Sequence, residues 1–355
     1  MRAVRYSALV LFAASGVAVG GHANADSWKV ARHDAGRTGA SLGASPLDSA
    51  HVAWRTYTGG RPSAATVKFG LDDESMLVAS LGGRFVAKDA ITQSELWSSP
   101  LLGTGSVVEM ADLDGDGFVE VVVQTASQAH VLNGTDGSVS WSSPLGAIEV
   151  MGAVRVRDLD GDNIADVYLD NGIGAKPGTK LAAAYSFAGG VPTEIWSLPV
   201  DIAPQSVNSG TDSLVDLNQD GVAEVLLPSW DQVLVVSGQD GSTITSLVPA
   251  VLSGHPYPQS SALAAQLDGA PGLEVLVVQP YSGAINQMVP GVAAYDVDVA
   301  SGQSTFLWSA DIGTFDGELV TNADLATDVD GDGIDEVVLS YRSSANGDAW
   351  VTEIR

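Results

Sequence analysis

One phrase recurs five times along this chain and leaves few folds open to it. It reads MADLDGDGFVEVVVQ at 110–124, VRDLDGDNIADVYLD at 156–170 and LVDLNQDGVAEVLLP at 214–228. It returns as AAQLDGAPGLEVLVVQ at 264–279 and ATDVDGDGIDEVVLS at 326–340. Each copy is a short acidic loop running into a β-branched stretch. The loops begin at 112, 158, 216, 266 and 328, with spacings of 46, 58, 50 and 62 residues. An earlier slot, FGLDDESMLVAS at 69–80, keeps the downstream apolar run and has lost most of the loop. Self-similarity at about 50 residues marks a repeat architecture, in which one unit cannot bury its own faces and needs its neighbours.

A second pattern follows each loop. It is an apolar run, a polar turn, then a run that carries Trp: FVAKDAITQSELW at 85–97, HVLNGTDGSVSW at 130–141 and AYDVDVASGQSTFLW at 294–308. VLVVSGQDGSTIT at 233–245 has Thr245 where Trp would fall, and 184–196 fits more loosely, ending at Trp196. Asp-Gly and Ser-Gly steps between alternating apolar runs are hairpin signals. No amphipathic helical run of useful length interrupts them. Each unit therefore reads as four strands: one before the acidic loop, one after it, and a hairpin.

Four-stranded units of about 50 residues predict an all-β fold, a β-propeller of four-stranded blades. A first blade spans about 60–102, four more centre on the loops at 112, 158, 216 and 266, and the last begins near 318 and stops one strand short. HVAWRTY at 51–57, with Trp54, can supply that strand. The expectation is six blades closed by the N-terminal strand. The alternative is a truncated seven- or eight-bladed ring.

The loop chemistry favours a cation. Side chains at positions 1, 3 and 5 of a tight turn converge, and carboxylates so close repel unless neutralised. A set made only of oxygens suits a hard ion accepting six to eight ligands better than octahedral Mg²⁺. An EF-hand would need Glu at position 12 and flanking helices. Position 12 here is Val123, and strands flank the loop.

These loops resemble the FG-GAP (integrin-α-like, or VCBS) repeat, whose D-x-D-G-D-G-x-x-[DE] loop holds Ca²⁺ between two blade strands. The resemblance implies Ca²⁺ as cofactor and these ligands. They are Asp112, Asp114, Asp116, the Phe118 carbonyl and Glu120; Asp158, Asp160, Asp162, Ile164 and Asp166; Asp216, Asn218, Asp220, Val222 and Glu224; and Asp328, Asp330, Asp332, Ile334 and Glu336. Asn163 replaces a glycine in the second set, and Asn tolerates the left-handed region. The loop at 266 offers Gln266, Asp268, Ala270 and Glu274 with Pro271 inside the turn, and is expected to bind nothing.

The Trp pattern is similar to the tryptophan-docking motif of quinoprotein propellers, in which these rings pack between blades. Ala87, Asp89, Thr92 and Trp97 match it, with Gln93 in place of Gly, and Asn133, Asp136, Gly137 and Trp141 match more weakly. WKVARHDAGRTGAS at 28–41 also looks like the entry segment of such chains. The chain has no Cys, so the vicinal cysteine pair of quinoprotein alcohol dehydrogenases cannot form.

Residues 1–25 read as a signal peptide: Arg2 and Arg5, an apolar Tyr6–Gly20 stretch, and Ala23-Asn24-Ala25 before Asp26. The apolar stretch is short for a membrane anchor. Residues 26–50 form an N-terminal arm and 51–355 the propeller. Removing Arg2 and Arg5 takes the formal charge from −27 to −29. That acidity disfavours nucleic acid and anionic membrane, and no other stretch is apolar enough to span a bilayer. No H-E-x-x-H, G-x-S-x-G or P-loop is present. His255, in SGHPYPQ, sits in a Pro/Gly-rich loop that suits either a surface site or a plain turn. The function expected is a secreted or periplasmic, monomeric, calcium-binding propeller that recognises an extracellular protein or carbohydrate without catalysis. The alternative is an enzyme on the same scaffold, a polysaccharide lyase or a quinoprotein-like dehydrogenase.

Overall fold

The computed structural model describes residues 65–69, 75–89, 92–144, 151–171, 179–199, 214–228, 232–248, 261–279, 291–311, 324–325, 328, 332–343 and 349–354. The leader, the arm, residues 51–57, Asp330 and the histidines at 33, 51 and 255 lie outside them. Among the described residues every element is a β-strand except one 3₁₀ turn, Ala188–Gly190.

The strands form five four-stranded sheets and one three-stranded sheet, each in chain order. The first holds β1 (Ala65–Phe69), β2 (Ser75–Leu81), β3 (Arg84–Asp89) and β4 (Glu95–Ser98). The second holds β5 (Gly105–Ala111), β6 (Glu120–Thr125), β7 (Ala129–Asn133) and β8 (Val139–Ser142). The third holds β9 (Met151–Arg157), β10 (Asp166–Asn171), β11 (Lys180–Ser186) and β12 (Thr193–Pro199). The fourth holds β13 (Leu214–Val215), β14 (Glu224–Pro228), β15 (Val233–Ser237) and β16 (Thr243–Leu247). The fifth holds β17 (Ser261–Ala265), β18 (Glu274–Gln279), β19 (Gly291–Asp298) and β20 (Gln303–Asp311). The last holds β21 (Asp324–Leu325), β22 (Val337–Ser343) and β23 (Ala349–Ile354). The expected unit of strand, acidic loop, strand and hairpin is what the chain builds, and neighbours pair antiparallel, as in Leu263↔Leu276 and Val277↔Ala293.

Burial explains the continuous apolar runs. The strands after the loops at 112, 158 and 216 are covered on both faces, so Val121, Val122 and Val123 of β6 and all of β10 and β14 are buried. Each such side chain contributes roughly 1.5–3 kcal/mol of transfer free energy, and β-branching suits the pleat.

By contacts the chain divides into two compact units. One comprises residues up to 110 with 118–125 and 131–140; the other comprises 111–117, 126–130 and 141–355. In the first, Phe85, Ala87 and Trp97 pack with Met110, Val121, Val123 and Leu132. In the second, Tyr168, Leu181 and Trp196 pack with Val225, Leu227 and Val236, and a further cluster joins Val235 and Leu247 to Val275 and Val277.

The Trp residues bind successive sheets together. Trp97 Nε1 donates to the carbonyl of Gly134 at 2.7 Å, and Trp196 Nε1 donates in the same way to Gly238. The ring lies so close over the hairpin turn that a Cβ at Gly137 would come within 2.4 Å of Trp97. This is why Asp136-Gly137 and Asp240-Gly241 recur at these turns. Trp141 meets a different surface: the third sheet turns through Ala188–Gly190 without an Asp-Gly step, and Trp141 rests on Tyr185 and Phe187, at 4.9 and 5.3 Å between ring centroids.

Candidate metal centre

The loop at 158 shows how these residues make a site. Asp158 closes the turn with both carboxylate oxygens, accepting from Gly161 N at 2.7 Å and Asn163 N at 2.8 Å. Asp160 accepts from Asp162 N, and Asp162 accepts from Ile164 N. Gly161 and Asn163 have φ of 83° and 67°, the left-handed region that Gly and Asn tolerate. Asp166 opens β10 with its side chain fully buried. Its Oδ2 accepts from Leu159 N at 2.9 Å, and its Oδ1 is buried with no hydrogen-bond partner. Oxygens of Asp158, Asp160 and Asp166 all lie within 4.8 Å of one another.

Electrostatics mark the same point. Burial pushes the Asp166 carboxyl up to about 6, against the Leu159 N–H that favours its charge, and the Asp160 charge adds to the rise. Burial also raises Asp160. A buried carboxylate with one unpartnered oxygen, beside two more carboxylates, is costly alone. A hard cation would supply what is missing, and every available donor is oxygen. The donor set at this loop fits such an ion.

The other loops repeat the turn. Asp112 accepts from Gly115 N at 2.8 Å and Gly117 N at 3.0 Å, and Asp114 accepts from Asp116 N at 3.0 Å. Glu120 is buried at the head of β6, and the Phe118 side chain is exposed. Asp216 accepts from Asp220 N and Gly221 N, Asn218 bridges to Asp220, and Val222 N donates to Asp220. Glu224 accepts from Leu217 N at 2.8 Å, and burial raises its carboxyl to about 7. Asp328 accepts from Asp332 N and Gly333 N, Ile334 N donates to Asp332, and Glu336 is half-buried beside β22.

Three features escaped sequence reasoning. The first is an interlock between loops. Ile164 Cδ1 would stand 3.3 Å from a Cβ on Gly115, and Val222 Cγ2 3.2 Å from one on Gly161. The position-7 side chain of one loop thus roofs the position-4 glycine of the preceding loop, a role distinct from positive φ. Turns of the following sheets reach the same loops, with Gly189 N donating to Asp114 O and Gln239 Nε2 to Asp160 O. The second is Asp170, fully buried in β10. It accepts from Ala153 N at 2.6 Å and from the Tyr168 hydroxyl at 3.3 Å, and burial raises it to about 7. An Asp directly after the apolar Val167–Leu169 run was its only signal. The third is His130, buried with Nδ1 2.7 Å from Ser142 Oγ, its pKa lowered by desolvation.

Residues 112–169, which contain the loops at 112 and 158, match the model of one family, the FG-GAP-like repeat. This segment is similar to that repeat. The match begins at Asp112 and ends inside β10, so it takes in two acidic loops and the hairpin between them. No curated protein matches the sequence. Solved structures similar to the chain include rhamnogalacturonan lyase of Bacillus licheniformis, at 16% identity and a TM-score of 0.35, covering 74% of this chain and 48% of that one. A biofilm matrix protein of V. cholerae is 16% identical with a TM-score of 0.40, covering 79% of this chain and 55% of that one. The periplasmic gluconolactonase of Pseudomonas aeruginosa is 18% identical with a TM-score of 0.43, covering 83% and 87%. The chain thus spans about half the length of the first two.

Proposed function

We propose that this protein is a secreted calcium-binding repeat protein, a recognition or adhesion module that works without catalysis. The observation that carries the reading is the trio Asp158, Asp160 and Asp166, with carboxylate oxygens within 4.8 Å and Asp166 Oδ1 buried without a partner. Calcium accepts all-oxygen donor sets in flexible geometry, and extracellular modules use sites with Kd near 10⁻⁴–10⁻³ M. Bound calcium joins the strand before each loop to the strand after it, and its double charge offsets most of the loop's carboxylates. In this reading the six sheets are blades of one propeller, closed by residues 51–57 pairing beside β23. The acidic loops are joints that stiffen it for an extracellular protein or glycan partner. The leader-like pattern at 1–25 supports export, and the net charge of −27 argues against nucleic acid.

Thermal melting tests the calcium reading. A site held at 100 times its Kd adds about 2.7 kcal/mol, so EDTA should lower Tm by roughly 5 °C or more. Ca²⁺ should restore it and Mg²⁺ should do so poorly. An unchanged melt in EDTA would sink the reading. Deleting 51–57 should lower Tm further in calcium, and an indifferent melt would remove ring closure from the proposal.

A further inference from the structure

We propose that the loop at 266 is a cation-independent copy of the acidic loop, in which the Gln266 carboxamide nitrogen stands where an ion would. The inference rests on the proposed calcium reading for what the neighbouring loops hold. The sequence leads one to expect no cation at this loop, and its residues do not fit one. Ala270 supplies no oxygen from its side chain, and the formal charge of the set falls to that of Asp268 and Glu274. What replaces the ion is visible in the hydrogen bonds. Gln266 Nε2 donates to the carbonyl of Ala270 at 2.6 Å and to the carbonyl of Gly272 at 3.0 Å. Gly272 occupies position 7, whose carbonyl is the expected backbone ligand in the other loops. Both N–H groups of the amide are therefore spent inside the turn, one of them on the carbonyl that a cation would gather. Its Oε1 meanwhile accepts from Gly269 N at 2.8 Å, the turn-closing bond that Asp158 makes with Gly161 N.

Asp158 offers only acceptors from this position, and the loop around it keeps an orphaned carboxylate oxygen. Gln266 brings two donors of its own. Glu274 accepts from Leu267 N, the bond that Asp166 makes with Leu159 N. The closure extends to the loop at 328 through Asp335. Its N–H donates to Gln266 O at 2.7 Å, its Oδ2 accepts from Gln266 N at 3.0 Å, and its Oδ1 accepts from Asp328 N at 3.1 Å. The same position is Val119, Ala165, Ala223 or Leu273 in the other copies, none of which can make such a bridge. One carboxylate thus ties the backbone of the closed loop to the first residue of its neighbour, without metal.

Hydrogen exchange on the full mature chain, read by mass spectrometry over 158–166 and 266–274 in Ca²⁺ and in EDTA, tests this. The 266–274 segment should exchange equally slowly in both conditions. Gln266→Glu, which keeps the shape and removes both donors, should speed exchange of 266–274 in EDTA by roughly tenfold, the effect of losing about one net hydrogen bond. Gln266→Asn withdraws the amide by one methylene without adding charge. It should do the same, and it covers the case in which the glutamate variant does not fold. Wild-type 266–274 loosening in EDTA, or unaltered exchange in the folded variants, overturns the proposal. If 158–166 ignores calcium, the calcium reading of that loop fails, while the two variants still decide whether Gln266 closes its own.

Discussion

Asp166 and Asp170 stand on one strand, both fully buried, and their chemistry diverges. The former leaves an oxygen without a partner, and the latter is held by Ala153 N and Tyr168. Asp166→Asn removes the buried charge and one ligand together. The variant should melt higher than wild type in EDTA and lower than wild type in saturating Ca²⁺, a crossover that calorimetry in the two buffers reads directly. Asp170 makes a pH prediction. Its carboxyl sits at about 7 in the folded chain, against about 3.9 unfolded. The folded state therefore holds the proton more tightly, so this contribution is complete below about pH 4 and is lost as pH rises through about 7. Arg155, which favours the charged form, works against the shift. Wild type in saturating Ca²⁺, where the loop acids stay ionised, should lose stability between pH 5 and 8, and Asp170→Asn should flatten that slope. The sequence displayed the position-1, -3, -5 and -9 acids in full, because their spacing is the chemistry. It hid Asp170 and Asp335, since a lone Asp reads the same whether buried or solvated.

At the scale of elements, the strands and their order were legible because the apolar runs, Asp-Gly steps and acidic loops all carry local signals. What lay beyond reach was contact between elements distant in sequence. Nothing in the spacing states that Ile164 roofs Gly115, or that the Trp97 indole reaches the Gly134 carbonyl 37 residues on. The looser fit at 184–196 did have a cause: the 3₁₀ turn there gives Trp141 an aromatic seat rather than a glycine one. The seats can be tested separately. Gly137→Ala places a Cβ 2.4 Å from the Trp97 ring at a φ of 72°, and should cost about 2 kcal/mol or more in chemical denaturation. Trp97→Phe keeps most of the packing and loses the N–H to Gly134, so about 1–2 kcal/mol is expected. A smaller loss for Gly137→Ala than for Trp97→Phe would show that the turn yields more readily than its geometry implies.

Across the whole molecule the dominant quantity is charge. A chain at −27 repels itself, and the acidic loops concentrate that repulsion. Salt screens exposed charges over about 8–10 Å, while the buried oxygen of Asp166 is out of its reach. Raising NaCl should therefore recover part, and not all, of the stability lost in EDTA. Full recovery by NaCl would mean that calcium acts only as diffuse screening. The indole clasps also bear on how such a chain could be taken apart. Trp196 belongs to the third sheet by strand pairing, yet its hydrogen-bond acceptor is in the fourth. A splice between Pro199 and Leu214 would respect the sheets and sever that bond, leaving the Gly238–Gly241 turn uncovered. The portable cassette is staggered: a graft carries its interface intact only when each tryptophan travels with the turn that receives it.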